Sequence, residues 1–260
     1  DNTISHICLL NSDVIVTDFW LDRLIQKGSD IVSPVTNKAD SVQSVPVDYE
    51  LDLKTCLDPV TESIASPAFN TVNAFAQGWF QAWEGNVVEV EDVTFFCVLL
   101  TKDVVRRVGL LDPMFFPGGY EDDDYCVRAR ALGIRIQLAR DVFIHHWGSA
   151  SFGQLQREYF KENALRNRRY LEKKHRIRWR ERPHMPIVSF AHDIAYALRG
   201  RGEHTLQLKY LELYVKTLTE LLTHYEKEFV ALQGLLRNCG RAVPQELDRE
   251  MKLLPPPFLF

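Results

Sequence analysis

The fold is decided by residues 93–138, which read VTFFCVLLTKDVVRRVGLLDPMFFPGGYEDDDYCVRARALGIRIQL. The apolar, β-prone run at 93–100 predicts a strand, and Thr101 is positioned to cap a short helix after it. A second helix is predicted from about Glu121 to Leu132, and a β run follows at 134–138. Strands that alternate with helices predict an α/β fold in which helices flank the sheet.

The segment before this stretch continues the alternation. Residues 4–10 predict a short buried strand, and a helix capped by Thr17 or Asp18 is predicted to reach Gln26. A strand is predicted at 30–35. The polar, proline-interrupted residues from Asn37 to about Pro67 then predict a long loop, and we expect pocket-lining residues between Asn37 and Gly85 to determine ligand specificity.

Beyond a last β run at 142–145, the pattern becomes helical. We therefore expect an α/β domain at 1–152 and a helical region at 153–260, with an extended Pro-rich tail. Residues 203–238 predict one long helix. Its apolar positions follow a heptad pattern: Leu208, Leu211, Val215, Leu218, Leu222, Tyr225, Phe229, Leu232 and Leu236. Such a stripe packs on its own domain or on a second copy, so a homo-oligomer is one expectation.

The composition is that of a globular protein with a substantial core. The 260 residues are 46% hydrophobic and 25% charged, and no apolar run is long enough to cross a bilayer. The five cysteines are scattered and form no CxxC pair. This pattern argues against a disulfide framework or a thiolate zinc site and predicts a reducing, cytoplasmic location.

Positive charge is concentrated at residues 157–182, where eleven Lys and Arg accompany four Asp and Glu in a chain of net charge −4. A segment of this kind favours phosphate groups or peripheral contact with the inner face of an anionic membrane. A solvated helix face is the alternative reading. The segment also carries aromatic residues but matches no nucleic-acid-binding module, so we expect no nucleic-acid partner.

Asn11-Ser12-Asp13 follow the first predicted strand. Ligands of open α/β sheets bind at the carboxyl ends of strands, so Asp13 could hold a divalent cation that bridges phosphate oxygens. The same three residues could also form a turn without any ligand.

The second polar cluster is Gly118-Gly119-Tyr120 followed by the four acids 121–124. Acids at a helix start are favoured by the helix dipole and can cap free N–H groups, but four adjacent carboxylates repel one another, so capping explains the run poorly. The Gly-Gly turn suits close approach of a substrate, and one carboxylate could act as a general base on a sugar hydroxyl. Asp124 lies one turn before Arg128, which predicts a structural ion pair.

His145 and His146 end the last β run, before Trp147 and Gly148. A histidine in this position is either a metal ligand or a side chain satisfied by a backbone carbonyl.

Taken in order, these motifs resemble the middle of a family 2 glycosyltransferase of the GT-A fold. The matching segments are Leu9-Leu10-Asn11-Ser12-Asp13, Trp20-Leu21-Asp22-Arg23-Leu24, Pro34-Val35-Thr36-Asn37, residues 108–116, residues 119–128, Ala131-Leu132-Gly133 and His146-Trp147-Gly148-Ser149. The resemblance covers roughly residues 5–155 and is to rhamnosyl- and galactofuranosyl-type bacterial enzymes of surface-polysaccharide assembly.

The resemblance implies a role for individual residues. Asp13 matches the last acid of the family's metal-binding DxD motif, with Asn11 in place of the first, and His146 matches a late metal ligand. Asp122 matches the catalytic base, and Glu121 stands beside it.

Asn11, Gly119, Tyr120 and Trp147 are the implied substrate-binding residues. The implied reaction is inverting transfer from a nucleotide-diphosphate sugar to a glycan or lipid-linked hydroxyl, with Mn²⁺ or Mg²⁺ as cofactor.

The family begins with βα units that bind the nucleotide, whereas this chain starts at the metal-binding strand. We expect these nucleotide-binding units either to belong to a longer protein that includes this chain or to come from elsewhere. Otherwise the chain is a degenerate transferase that serves as an assembly or scaffold module. A two-metal hydrolase is disfavoured because the denser His and Asp ligand set is lacking.

Overall fold

The computed structural model describes residues 3–39, 41–51, 56, 66–147 and 154–179, together with 208–210, 212, 213, 215, 216 and 219. For residues 154–161 it describes the backbone only. Within this part of the chain, no helix combines the length and the apolar character needed to span a bilayer.

The described residues form an α/β structure. Its strands are β1 (His6–Leu10), β2 (Val14–Ile15), β3 (Ile31–Val35), β4 (Val87–Val90), β5 (Cys97–Thr101), β6 (Ile136–Phe143) and β7 (His145–His146). Its α-helices are α1 (Trp20–Gln26), α2 (Ser66–Trp83), α3 (Lys102–Val108), α4 (Glu121–Ala131) and α5 (Gln154–His175), and Pro113–Phe115 form a 3₁₀ turn.

Five strands form one mixed sheet in the order β1-β5-β3-β6-β4, and β2 and β7 form a separate antiparallel pair. Strand β5 is antiparallel to both of its neighbours, β3 and β6 are parallel, and β4 is antiparallel to β6. The predicted α/β fold, with helices flanking the sheet, is therefore confirmed, and the sheet is mixed.

Alternation along the strands explains why helices cover both faces. Ile31 and Leu100 pack with Tyr125 and Cys126 of α4 on one face. The intervening residues point the other way, where Val32 and Leu99 pack with Leu24 of α1. Because successive side chains of a strand point to opposite faces, two apolar faces arise that water cannot cover, and each is buried by helices.

The helix α2 was not predicted, although it is the longest helix whose side chains are all described. Its apolar residues recur at helical spacing, and all of the following are buried: Ala68, Val72, Phe75, Ala76, Trp79, Ala82 and Trp83. Phe75 meets Phe143 of β6 edge to face at 4.8 Å, so α2 packs against β6. The segment between the predicted loop and β5 therefore contains a helix and the strand β4.

Four local predictions were wrong. The strand predicted to be buried at residues 4–10 is β1, at the edge of the sheet, where Ile7 and Leu10 are exposed. Thr17 and Asp18 do not cap α1: the Thr17 hydroxyl donates to the Phe143 carbonyl, and left-handed Phe19 precedes the helix. Residues 93 and 94 have no regular structure and 95 and 96 form a turn, so the strand predicted at 93–100 begins only at Cys97. The β runs predicted at 134–138 and 142–145 are largely one strand, β6, which runs through the polar pair Arg140-Asp141. The predicted Thr101 cap is confirmed, since its side chain accepts from the Val104 N–H.

Of the predicted helix at 203–238, the described residues are helical, and Tyr210 is buried among Phe75, Trp79 and Trp83. Leu208 and Val215 of the heptad stripe are exposed. The rest of that stripe and the tail at 255–260 lie outside the described residues. The homo-oligomer and the division at residue 152 stay predictions.

Candidate active site

The candidate residues follow three strands that run in the same direction. Strands β1 and β3 are both antiparallel to β5, and β3 is parallel to β6, so the carboxyl ends of β1, β3 and β6 lie at one edge of the sheet. Asn11 and Asp13 follow β1, Asn37 follows β3, and His145 and His146 follow β6. This is the edge at which open α/β sheets bind ligands.

At this edge the pair of short strands brings the predicted metal ligands together. Val14 of β2 is paired with His146 of β7, and the Trp147 N–H donates to the Asp13 carbonyl at 2.9 Å. His146 Nε2 consequently lies 3.3 Å from Asp13 Oδ1, and Asn11 Nδ2 lies 3.5 Å from the same nitrogen. Residues 135 positions apart in the sequence thus form one cluster.

The orientation of His146 is fixed by neighbours from residues 37 and 38. Its Nδ1 lies 2.9 Å from the Lys38 carbonyl oxygen, which can only accept, so Nδ1 carries the proton. Asn37 holds the backbone of His146 from both sides: its Oδ1 accepts from the N–H at 2.7 Å, and its Nδ2 donates to the carbonyl at 3.1 Å. The sequence motif included Asn37 but did not indicate this clamp.

The resulting donor set fits a divalent cation. With the ring proton on Nδ1, the lone pair of Nε2 faces the Asp13 carboxylate, with the Asn11 amide nitrogen 3.5 Å away, and a cation between the two acceptors would offset their repulsion. A histidine whose other nitrogen donates to a backbone carbonyl is the usual geometry of a metal ligand, and Mn²⁺ accepts both imidazole and carboxylate. Among the described residues no group of three or more His, Cys, Asp or Glu side chains is arranged for a metal, so Asp13 and His146 are the two described side chains that could bind one here.

The acidic cluster lies at the start of α4, after a sharp turn. Gly118, Gly119 and Tyr120 all have positive φ, at 140°, 89° and 72°, which carries the backbone abruptly into the helix. No side chain caps α4 at its N-terminus. The predicted substrate-binding residues Gly119 and Tyr120 therefore lie directly beside the predicted catalytic residues Glu121 and Asp122.

Asp122 and Asp123 are partly buried and adjacent. Asp122 Oδ2 accepts from the Phe95 N–H at 3.3 Å, and its Oδ1 accepts from the Asp123 N–H at 2.9 Å. Burial, with the neighbouring Glu121 carboxylate, raises the pKa of Asp122 to about 7. Burial and the surrounding carboxylates raise the pKa of Asp123 further, to about 9. A carboxyl group with a pKa near 7 can exchange a proton with a substrate at neutral pH.

Glu121 adds an unsatisfied atom to this cluster. Its Oε2 is buried and has no hydrogen-bond partner among the described residues. A buried carboxylate oxygen without a donor costs free energy, which a ligand hydroxyl could recover.

Asp124 plays the structural role predicted for it. Its Oδ2 accepts from Arg128 Nε at 2.8 Å, confirming the predicted pair. The helix α5 supplies two further partners, Lys174 at 2.6 Å and His175 at 2.7 Å from Oδ1. Burial alone would raise the pKa of Asp124, but these hydrogen bonds hold it below its ordinary value.

A single peptide segment joins the histidine cluster to the acidic helix start. The Phe95 N–H donates to Asp122, while the next carbonyl, of Phe96, accepts from the Asn11 N–H at 2.9 Å. The Phe96 ring also stacks on the His146 ring, with centroids 5.3 Å apart. Asp13, His146 and Asp122 are thus linked through two consecutive residues at the same edge of the sheet.

A cavity of about 310 Å³ adjoins this cluster. His146 and Trp147 line one side of it, and Tyr49 and Leu51 line another. We expected residues between Asn37 and Gly85 to line a pocket, and Tyr49 and Leu51 are two described residues of this range that do so.

The helix α5 contributes a residue that the sequence did not indicate. Asn167, fully buried, donates from Nδ2 to the carbonyls of Phe115, Gly118 and Gly119 at 2.7, 3.0 and 3.1 Å. It therefore holds the turn that leads into Glu121. Asn167 stands within the basic segment, where the surrounding Arg and Lys residues suggested only a charged surface.

The basic segment itself is partly consumed by internal contacts. Lys174 bonds Asp112 and Asp124, and Arg166 donates to the Phe116 carbonyl. Its contact with phosphates or with a membrane stays a prediction, and residues 180–182 lie outside the described part of the chain.

No protein-family model matches this chain, and no curated protein is significantly similar to it.

Proposed function

We propose that this chain carries the metal-binding and acceptor-activating half of an inverting glycosyltransferase. The donor is a nucleotide-diphosphate sugar, and the acceptor is a hydroxyl of a glycan or a lipid-linked glycan. Synthesis of a bacterial surface polysaccharide at the cytoplasmic side of the membrane is the setting that the sequence resemblance suggests.

One observation supports the proposal: the Asp13–His146 pair and the Asp122 carboxylate are linked through the consecutive residues Phe95 and Phe96. Glycosyl transfer from a diphosphate needs both features, a cation site for the leaving group and a base for the nucleophile. Neither an ordinary turn at residues 11–13 nor helix capping at 121–124 requires such a link.

Asp13 and His146 are the residues that would hold Mn²⁺ or Mg²⁺. The remaining coordination positions would come from water and from donor phosphates, as is usual for these cations. When bound, the cation offsets the negative charge that develops on the departing diphosphate.

Asp122 is the proposed base. As the acceptor oxygen forms its bond to the anomeric carbon, the bond from that carbon to the diphosphate breaks, and the hydroxyl proton passes to the Asp122 carboxylate. Displacement from the face opposite the leaving group inverts the anomeric configuration. The pKa of Asp122, raised to about 7, suits this transfer, because such a carboxylate is ionised at neutral pH yet basic enough to take the proton.

The test separates the base from the metal ligands. Release of nucleotide from UDP-, dTDP- and GDP-hexoses is measured with Mn²⁺ and a panel of glycoside acceptors, and Mn²⁺ binding is measured by electron paramagnetic resonance. Asp122→Asn should lower transfer by about 10²–10⁴-fold, the usual worth of a positioned base, without changing Mn²⁺ affinity. Asp13→Asn should weaken Mn²⁺ binding by more than the about 10–100-fold typical of an outer-shell loss.

Asp103→Asn is the matched control, since Asp103 is an exposed carboxylate at the start of another helix. It should change neither quantity. Full transfer by Asp122→Asn would remove Asp122 as the base. Mn²⁺ binding that needs Asp13, without transfer to any acceptor in the panel, would favour the non-catalytic assembly module.

A further inference from the structure

A buried histidine beside the proposed metal site is only half satisfied. His145 is 5% exposed, and its Nδ1 lies 2.9 Å from the Tyr49 hydroxyl. Its Nε2 is buried and has no hydrogen-bond partner among the residues that the structure describes. Both His145 and Tyr49 line the cavity of about 310 Å³.

The other walls of this cavity indicate what it can hold. Trp147 supplies an aromatic surface and meets the His145 ring edge to face at 5.0 Å, while Val47 and Leu51 add apolar surface. Glu50 contributes a carboxylate, and none of the described lining residues is Lys or Arg. Among the described residues that line the cavity, a phosphate group therefore meets no Lys or Arg side chain.

We propose that this cavity is a subsite for a single neutral sugar unit, recognised by the hydrogen-bonded pair of Tyr49 and His145. A sugar ring offers apolar C–H groups to an aromatic wall and hydroxyl groups to polar partners. The Tyr49 hydroxyl, the His145 ring nitrogen and the Glu50 carboxylate can each bond a hydroxyl. The volume is at the lower end of the range for small-molecule pockets, about 300–1,000 Å³, and so suits one sugar better than a whole nucleotide sugar.

The inference rests on the proposed function, which gives a sugar its reason to bind here. His146 lines the same cavity and belongs to the Asp13–His146 pair, so the subsite adjoins the place where the donor diphosphate would lie. The sugar could come from the donor or from the acceptor, and the experiment separates these two sources.

Saturation-transfer NMR on the full chain tests the subsite. In the first arm the probes are free galactose, glucose, mannose and rhamnose without metal. Binding of a free sugar in this arm identifies an acceptor-side subsite. In the second arm the probes are UDP-, dTDP- and GDP-hexoses with Mn²⁺. Sugar-proton signals that appear in the second arm but not in the first identify the donor sugar. Glucuronate is the anionic counterpart and should bind more weakly than glucose, because Glu50 repels it.

The key variant is Tyr49→Phe, which removes one hydroxyl and keeps the ring. It should weaken sugar binding by about five- to tenfold, the value of one hydrogen bond between uncharged groups. Tyr210→Phe is the matched control: it removes a phenol hydroxyl from a buried ring that does not line the cavity, and it should leave binding unchanged. Trp147→Ala should abolish binding, and Trp147→Phe should restore part of it.

Unchanged binding by Tyr49→Phe in both arms, or no sugar binding by the wild-type chain in either arm, overturns the subsite. These results are separate from those for the proposed function. The subsite can fail while Asp122→Asn still abolishes transfer, and sugar can bind in the first arm even when Asp13→Asn shows no effect on metal.

Discussion

The two sides of the α4 N-terminus carry the same type of side chain in opposite surroundings. Asp124 is fully buried against α5 and accepts from Arg128, Lys174 and His175. Asp122 and Asp123 face the other way, and the hydrogen bonds described for Asp122 come from backbone N–H groups.

Charge at Asp124 is compensated, whereas charge at Asp122 and Asp123 is not. The pKa of Asp124 is accordingly lowered, and those of its two neighbours are raised. Compensated charge holds the structure together, while a buried carboxyl group without a cationic partner marks a candidate for chemistry.

The largest expected effect is on stability, from Asp124→Asn. Replacing this carboxylate with an amide leaves Lys174, Arg128 and His175 without their shared negative charge, so the free energy of unfolding should fall by about 3–5 kcal/mol. Urea denaturation followed by tryptophan fluorescence measures it. Asp123→Asn is the matched change one residue away and should leave stability unchanged or increase it, since a neutral amide avoids the free-energy cost of burying a carboxyl group among other acids. Equal losses in the two variants would contradict the division between the two sides.

Dependence on pH should distinguish the two sides by sign. Because the pKa of Asp122 is raised in the folded protein, its contribution to folding stability is complete below the pKa of Asp in the unfolded chain, about 3.9. This contribution is lost as the pH rises towards 7. The wild type should therefore lose stability relative to Asp122→Asn between pH 4 and 7. Asp124 has a lowered pKa, so its contribution is present above the unfolded value and is lost as the pH falls.

The same titration should appear in catalysis. Transfer should fall by about tenfold for each pH unit below 7, because only the ionised base takes a proton. Carboxyl ¹³C NMR of the wild type and of Asp122→Asn would assign the titration directly. A midpoint near 4 for Asp122 would contradict its position as the uncompensated acid.

The sequence predicted much of this arrangement because its signals are local. Glu121–Ala131 follow a Gly-Gly turn, and Asp124 and Arg128 stand one helical turn apart, so both the helix and the ion pair could be predicted. The order of Asp13, Asp122 and His146 along an α/β chain suggested that they meet, because strand ends gather at one edge.

What could not be predicted depends on distant contacts. No local pattern indicates that Asn167 bonds three carbonyls near Gly119, or that the Thr17 hydroxyl donates to Phe143 instead of capping α1. The helix α2 is a different case, since the spacing of Val72, Phe75, Ala76 and Trp79 is a local signal of a helix.

A smaller effect is expected from Asn167→Leu, which keeps the side-chain size and removes the donor. Three carbonyls at the turn before α4 would lose a partner, so unfolding should become easier by about 1–3 kcal/mol. Leu165→Ala, at an exposed position of the same helix, is the control and should have little effect. If Asn167 also positions the turn, transfer should slow in the folded variant at saturating substrate, whereas a purely structural role would leave kcat unchanged.

The smallest effect is expected where the same chemistry is exposed. Asp103 and Arg106 form a 2.6 Å ion pair within α3, about as short as the 2.8 Å pair of Asp124 and Arg128. The side chains of the first pair are 49% and 80% exposed, and that of Asp124 is 0% exposed. Water and salt screen the exposed pair, so Asp103→Asn should cost about 0.5 kcal/mol or less.

The comparison needs equal ionic strength, because raising the salt should reduce this small loss further and leave that of Asp124→Asn nearly constant. If both variants lost the same free energy, the distance between the charges, and not their burial, would determine the strength of these pairs, and Asp124 would no longer differ in kind from the acids beside it.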